Sequence, residues 1–284
     1  MPDLHKGRYR IRPALDAADL RAAQRLRWRC FLGPRAGAGA PDDGLDRDDH
    51  DPLCRHMMIE DRSSGCLVGG FRFLHLPSGA EIGRSYSARF YGLDGLRSFA
   101  GPMIEVGRFC VHPAWPDPDI LRLAWAALAV EVDRTGAELL FGCSSFRGTD
   151  AALHEDAFAL LRDGHLAPHP WMPRVTAPEI VRFPPPGRAA DPVRARAAMP
   201  PLLRSYLTMG GWVSDHAVVD RALGTMHVFT GLEVRSIPPA RARALRLMAG
   251  RAAGAPATRL QGGRSEKAQV PALPPDRPGA RSLG

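Results

Sequence analysis

Two charged side chains, Glu105 and Arg108, interrupt the apolar run Met103-Ile-Glu-Val-Gly-Arg-Phe-Cys-Val-His-Pro113. Met103, Ile104, Val106, Phe109, Cys110 and Val111 mark a strand buried on both faces. Side chains alternate along a regular strand, so residues three apart point to opposite faces. Gly107 offers a place for a β-bulge, which would turn both charges toward one cleft. Buried charge costs several kcal/mol unless something compensates. The pair is therefore either a structural ion pair or part of a working site.

A second group lies upstream. Asp42, Asp43, Asp46, Asp48, Asp49 and Asp51 fall close together, with His50, Cys54 and His56 beside them. A run of this kind is a solvated loop, a metal site or a pocket for a cation. Its spacing matches neither the Asp-x-Asp-x-Asp-Gly calcium loop nor paired Cys-x-x-Cys knuckles, so no metal is expected. Arginines recur near these acids. Arg27 precedes Phe31 by one helical turn, placing both on one side of a helix, and Arg72 and Arg108 sit within apolar strands. Each is an anion ligand or half of an ion pair. Cys110 and Cys143 lack the adjacent base and orienting group of an activated thiol, and read as buried structural cysteines.

The elements that must hold these residues can be read from period and punctuation. A first strand is expected at 8–12, then a helix capped by Asp16 with Leu20, Ala23, Leu26 and Cys30 on one stripe. Residues 33–53 form a loop too long for a simple connector. Further strands are expected at 56–60, 66–76, 103–112, 138–146, 178–184, 212–220 and 226–234, and helices at 119–135, 149–163 and 200–209. In the second helix Leu121, Trp125, Leu128 and Val132 recur at helical spacing, with Asp119 as N-cap and Gly136 as stop. Strand, helix, strand from 103 to 146 implies a crossover and a parallel pairing. A charged cleft on such a unit suits acyl or nucleotide chemistry, and topology alone does not choose between them. Residues 185–199 read as a surface linker.

Composition sets the outer limits. The chain has 284 residues and a net charge of +8. From Ile237 onward nine Lys or Arg face two acids, which gives that segment +7 and leaves +1 for residues 1–236. A nearly neutral body does not suit a nucleic-acid-binding domain, so no nucleic-acid partner is expected. The chain divides into a body, 1–236, and a basic Pro/Ala/Arg-rich tail, 237–284, expected to be largely disordered. Ala240 to Leu247 would make a basic helix for an anionic membrane surface, or a merely solvated stretch. No apolar run reaches the roughly 20 residues of a membrane span, the first residues lack a signal-peptide core, and five scattered cysteines suit reduced thiols. A cytoplasmic protein, peripheral at most on the inner membrane, is expected.

The ordered motifs Glu105-x-Gly-Arg108, Leu140-Phe-Gly-Cys-Ser-Ser-Phe146 with Gly148-Thr-Asp150, and Pro201-Leu-Leu-x-x-Tyr206-Leu-x-x-Gly210 resemble the bacterial L-ornithine Nα-acyltransferases. So do Leu26-Arg-Trp-Arg-Cys-Phe31, the acidic run through His56, Gly70-Phe-Arg72, and Tyr86-Ser87 with Phe90. The resemblance spans roughly residues 8 to 234. That family is similar to the acyl-homoserine-lactone synthases and to the GNAT N-acetyltransferase fold. It implies an α/β (α+β) domain, a mixed central sheet flanked by helices. It also implies transfer of a 3-hydroxyacyl group from acyl carrier protein to the α-amine of L-ornithine, giving lyso-ornithine lipid, with no cofactor beyond the carrier's phosphopantetheine. The alternatives are a lactone synthase, an N-acyltransferase for another amine, or a non-catalytic membrane- or nucleic-acid-binding protein.

Roles follow from that resemblance. Glu105 would take the amine proton and Arg108 orient it or the substrate. Asp48 and Asp51 match the family pattern and would hold the spare ammonium, while Arg27, Arg72 and Arg108 would meet the substrate carboxylate or carrier phosphate, with Phe31 beside them. Backbone N–H groups near Cys110 would face the oxyanion. Phe73, Phe109, Phe141 and Phe146 would line an acyl tunnel or serve as plain core aromatics. No glycine-rich pyrophosphate loop precedes the helix at 119, as suits a carrier-bound donor. Arg8, Arg10, Arg12 and Arg147 are the basic candidates for docking an acidic carrier.

Overall fold

Strands arise where short apolar runs are bounded by turn residues, and helices where a capping residue precedes a 3.6-residue apolar period. The computed structural model describes residues 3–33, 43–188 and 190–254. Its elements run β1 (Leu4–Lys6), β2 (Tyr9–Pro13), α1 (Ala17–Phe31), β3 (Arg55–Asp61), β4 (Leu67–Leu76), β5 (Tyr91–Gly92), β6 (Met103–Val111), α2 (Pro118–Thr135) and β7 (Leu139–Arg147). There follow α3 (Glu155–Gly164), β8 (Arg174–Val175), β9 (Ile180–Arg182), α4 (Pro192–Ala198), α5 (Pro201–Leu207), β10 (Trp212–Val213), β11 (His216–Asp220), β12 (Thr225–Glu233) and α6 (Pro239–Gly254).

One sheet dominates, in the order β1-β2-β3-β4-β6-β7-β12-β11-β9, with β10 also on β12. Every pairing in it is antiparallel except β6–β7, which the crossover through α2 makes parallel. Ile104 and Val106 pack with Leu123, Ala124 and Leu128 of α2 in the largest apolar cluster. The alternating residues of β6, Met103 and Glu105, therefore face the other side of the sheet. There Met103 packs with Ile82, Tyr91 and Leu96 from the segment that precedes β6. The site described below lies on that second face.

The α1 helix starts at the expected cap, whose Asp16 carboxylate accepts from the Ala18 and Asp19 N–H groups. The α2 helix begins one residue early and is capped by Asp117 rather than Asp119, because Pro118 fills the first helical position. Gly136 ends it in the left-handed region at φ 65°. The strand expected over 212–220 is broken at Ser214 and Asp215 into β10 and β11. The stretch 185–199 is not all linker, since Asp191 and Pro192 start α4.

The largest departure is at the C-terminal side of the body. Helix α6 is part of the body, so the boundary at 236 is misplaced. Leu245, Met248, Ala249 and Ala252 pack into the same cluster as α2, and Arg246 pairs with Asp133 of α2 at 2.8 Å. The remainder of the expected tail, from 255, lies outside the described residues. No described helix is long and apolar enough to cross a membrane.

Candidate active site

The parallel pairing of β6 and β7 covers only Met103–Leu139, Ile104–Leu140 and Glu105–Phe141. Beyond Glu105 the strands part. The separation begins at Gly142, whose backbone approaches Val106 so closely that a Cβ would stand 2.2 Å from the Val106 carbonyl oxygen. On its other edge β6 carries a bulge: Gly107 pairs with Arg72 and Cys110 with Gly70, which leaves Arg108 and Phe109 opposite Phe71. The bulge was expected at Gly107. It falls one residue later, and Arg108, not the glycine, takes the left-handed conformation at φ 52°. A non-glycine residue there costs about 1–2 kcal/mol, so its surroundings must hold it.

Those surroundings are a network of three arginines and three aspartates. Arg27 donates to both Asp51 oxygens (2.7 and 2.8 Å) and to Asp46 Oδ2 (2.9 Å). Arg72 grips Asp48 with two parallel bonds (2.6 and 2.7 Å) and also donates to Asp51. Arg108 donates to Asp48 Oδ2 at 2.8 Å, with its Nε 3.1 Å from Asp46. Gln24 adds a fourth bond to Asp51 at 2.9 Å. Three cations meet three anions, so the network is close to neutral. Burial would raise the Asp51 carboxyl, but the bonds from Arg27 and Gln24 and the charge of Arg72 hold it well below the usual carboxylate range. Asp48 is lowered likewise, with Arg72 and Arg108 outweighing burial.

This arrangement revises the expected ammonium pocket. Asp51 is 4% exposed and its oxygens are taken by Arg27, Arg72 and Gln24. It braces α1 and β4 rather than waiting for a substrate cation. Asp48, half-buried, is shared by Arg72 and Arg108. Arg27, 3% exposed, is likewise internal and not placed to meet a carboxylate from solvent. Phe31 ends α1 half-buried, one turn beyond the network.

Glu105 is 5% exposed and held differently. Its Oε2 accepts the Tyr86 N–H at 2.8 Å, and its Oε1 accepts the Ser87 N–H at 2.8 Å and the Ser87 hydroxyl at 2.6 Å. Burial raises its pKa despite these donors. A carboxylate of this kind is a stronger base than an exposed one. Glu105 and Arg108 thus meet the same residue, Tyr86, at its backbone N–H and its ring respectively, instead of pairing with each other. Arg108 lies 4.9 Å over the Tyr86 ring and donates to its hydroxyl at 3.2 Å. Tyr86 in turn packs on Phe90 at 5.2 Å, and Phe90 on His227 at 4.9 Å.

The Cys143 sulfur lies 3.5 Å from the Ser87 hydroxyl. Burial pushes its thiol up to about 12, so little thiolate exists near neutral pH. The four phenylalanines do not line one tunnel. Phe73 and Phe109 both pack on Phe71, Phe141 stacks with Phe229 at 5.9 Å, and Phe146 meets Phe158 at 5.1 Å. They belong to three separate apolar clusters and are core aromatics. Residues that the motifs did not single out as site residues, Ser87, His227 and Asp220, do face this region. The signal for Ser87 lay in the Tyr86-Ser87 pair. Asp220 keeps the pattern of the resembled family and Met226-His227 departs from it, but spacing ties neither to the site, because they reach it only through strand pairing.

A mixed sheet with one parallel pair that parts beside a buried carboxylate is the frame of a GNAT acyltransferase, and the family profile described as an acetyltransferase (GNAT) domain matches residues 26–126. The chain is 36% identical over 238 residues to the L-ornithine N(alpha)-acyltransferase of Rhodobacter capsulatus, across 81% of this chain and 91% of that protein. It is 32% identical over 241 residues to the protein of the same name from Rhizobium meliloti, across 80% of each. The chain belongs to the L-ornithine Nα-acyltransferase family. Among solved structures, FeeM, an N-acyl amino acid synthase from uncultured soil microbes, is similar over 86% of this chain and 98% of its own, at 11% identity and a TM-score of 0.46.

Proposed function

We propose that the protein forms an amide between an acyl group carried as a thioester and the α-amine of L-ornithine, with a 3-hydroxyacyl chain on acyl carrier protein as donor. The observation that carries this reading is Glu105, buried where β6 and β7 part. The amine must lose a proton to become nucleophilic, and a carboxylate in reach directly or through one water can take it. The neutral amine attacks the thioester carbon, the C–N bond forms, and the C–S bond breaks. The proton taken by Glu105 then leaves with the pantetheine sulfur as a thiol. Arg108, fixed by Asp48 and Tyr86, sets the position of the Tyr86 backbone that orients Glu105.

The choice of donor draws support from the start of α2. Asp117 Oδ1 accepts from the Asp119 N–H at 2.9 Å, and Asp117 Oδ2 accepts from the Tyr9 hydroxyl at 2.8 Å. A helix N-terminus otherwise suited to a pyrophosphate is thus taken by a carboxylate of the chain, with Asp119 beside it. A carrier arm brings one phosphate and does not need that position. Of the basic residues expected to dock a carrier, Arg8 is held by Asp61 (2.6 Å), Arg10 by Asp3 (2.6 Å) and Arg12 by Asp19 and Glu60 (2.9 Å each). Arg147 has no ion pair among the described residues and is the better candidate. Any contact with an anionic membrane would use the outward side of α6, where Arg241, Arg243, Leu247 and Arg251 are exposed. The site would work at the cytoplasmic face of such a membrane.

The test is an assay of the purified full chain with L-ornithine and a 3-hydroxyacyl group on either acyl carrier protein or coenzyme A, followed by mass spectrometry. The expected product is ornithine with one amide-linked hydroxyacyl chain, formed faster from the carrier. Absence of acylated ornithine with both donors would overturn the reaction. Equal rates with the two would overturn only the donor.

A further inference from the structure

The acidic side chains first expected to hold a substrate ammonium are occupied by arginines. Asp220 is not. It is 9% exposed and accepts the Leu223 N–H at 2.9 Å, and among the described residues no Arg or Lys pairs with it. It ends β11 directly opposite Thr225, the first residue of β12. His227 follows two residues along β12, on the same face as Thr225. His227 packs on Phe90, and Phe90 on Tyr86, whose N–H meets Glu105, so this group lies on the face that carries Glu105.

Two polar atoms beside this carboxylate are buried without a hydrogen-bond partner, Thr225 Oγ1 and His227 Nε2. Such atoms are uncommon in folded proteins and call for an explanation. The tautomer of His227 follows from Tyr91. The Tyr91 hydroxyl lies 2.7 Å from the His227 carbonyl oxygen, which can only accept, so its single proton goes there. The contact from His227 Nδ1 to the same hydroxyl, at 3.2 Å, must then run from an N–H on Nδ1. That leaves Nε2 as a lone-pair acceptor. Burial lowers the imidazole pKa to about 4, so the ring is neutral near neutral pH and does not repel a cation.

A carboxylate, a hydroxyl oxygen and an imidazole nitrogen, all with spare acceptor capacity, match a group with three N–H donors and one positive charge. An anion would be repelled by Asp220, and a hydroxyl would supply one donor only. We propose that Asp220, Thr225 and His227 bind the side-chain ammonium of the amine substrate, the amine that is not acylated. The site rests on the acyltransfer reading above and makes it specific for a diamino acid. Glu105 and Ser87 serve the reacting amine. Cys143, within 3.5 Å of Ser87 and two residues before Ser145, the β7 partner of His227, lies between the two ends.

The experiment compares L-ornithine with L-norvaline, which has the same carbon chain without the terminal amine, at a fixed acyl donor. The wild-type ratio of kcat/KM for ornithine over norvaline is expected to exceed about tenfold. Asp220→Asn should lower that ratio on the order of ten- to a hundredfold, the value of one charge-assisted hydrogen bond. Thr225→Val and His227→Leu should lower it by less. A folded Asp220→Asn protein that keeps the wild-type ratio overturns the proposal, as does a wild-type protein that uses both amines equally. Should Asp220→Asn fail to fold, the near-isosteric Thr225→Val decides, and an unchanged ratio there overturns the site. A wild-type protein that acylates neither amine instead removes the reaction itself, so the two failures are distinct.

Discussion

Two polar groups lie on the same face of the sheet and are built on opposite terms. In the network of Arg27, Arg72, Arg108, Asp46, Asp48 and Asp51, each carboxylate is met by a guanidinium of the chain itself. In the group formed by Asp220, Thr225 and His227, one carboxylate has no cation among the described residues and two buried atoms have no partner. The first group is matched charge for charge, although Arg108 Nε, 3.1 Å from Asp46, makes no hydrogen bond, and it holds α1, β4 and the bulge of β6 in place. The second is incomplete, which is the condition for binding something. Local density of acidic residues does not separate the two, and pairing does.

If the network is structural, breaking it should act on stability first. Asp51→Asn leaves Arg27 and Arg72 each short of a charged partner in a buried setting, and should destabilise the protein by about 3–5 kcal/mol, read by urea denaturation. Asp220→Asn should change stability by well under that amount. A mild loss in Asp51→Asn would mean that the network tolerates an open place and is closer to a binding site than its geometry suggests.

The same contrast has a pH signature. Asp48 and Asp51 have lowered folded pKa values, so the stability they contribute is present above their unfolded value, near 3.8, and is lost as pH falls toward the folded ones. Glu105 has the opposite sign. Its folded pKa is raised, so its contribution to stability is full below the ordinary value of 4.5 and is lost as pH rises through the folded one. Denaturation across pH 2–6 should therefore show the steepest fall at the acid end, with that slope reduced in Asp51→Asn. Activity should show an acid limb above the ordinary glutamate value, set by Glu105, rising with pH over the same range in which Glu105's contribution to stability is lost.

Next in size is the reacting carboxylate. Glu105→Gln should lower kcat by about a hundredfold or more in a protein that still folds; its single amide oxygen can accept from Ser87, while its NH2 faces the Tyr86 N–H, at a cost to stability of about 1–3 kcal/mol. A folded variant with near-normal kcat would take Glu105 out of the reaction. Smaller effects come from the two glycines of the cleft. Gly142→Ala forces a methyl against the Val106 carbonyl at 2.2 Å and should cost about 1–3 kcal/mol and narrow the gap between β6 and β7. At Gly107 a Cβ meets only Arg72 Nε, at 4.0 Å, and Gly107→Ala should change stability by no more than about 0.5 kcal/mol.

Much of the frame was legible because the period of the apolar residues is itself the physical cause of the element. The run 103–111, the helix with Trp125 and Leu128, and the run 139–147 all appear within a residue or two of their expected limits. A basic helix is expected over Ala240 to Leu247 and is present within α6; its packing on the body was not legible, because its small apolar residues, Ala249 and Ala252 among them, sit within a basic Ala/Arg stretch that resembles a solvated tail. Only the presence of α2 and β1 gives those small residues a surface to cover. Helix α4 was hidden by the prolines around it, although Asp191 and Pro192 form an ordinary cap and first position.

For the site, the sequence by itself determined the residue types and most of the strands that carry them: a glutamate and an arginine on one apolar strand, an acidic run ahead of it, and arginines at helical and strand positions. Their charge and chemistry are local properties, fixed by the chain whatever its fold. Pairing is not local. Which aspartate meets which arginine depends on how α1, the 43–54 segment, β4 and β6 come together, and the acids close in sequence proved to be the ones already neutralised. The bulge at Arg108, held by contacts with Asp48 and Tyr86, and the meeting of Asp220 with Thr225 and His227 across β11 and β12 were likewise decided by tertiary structure. Electrostatic free energy falls with distance between groups, and that distance is set only when the chain has folded.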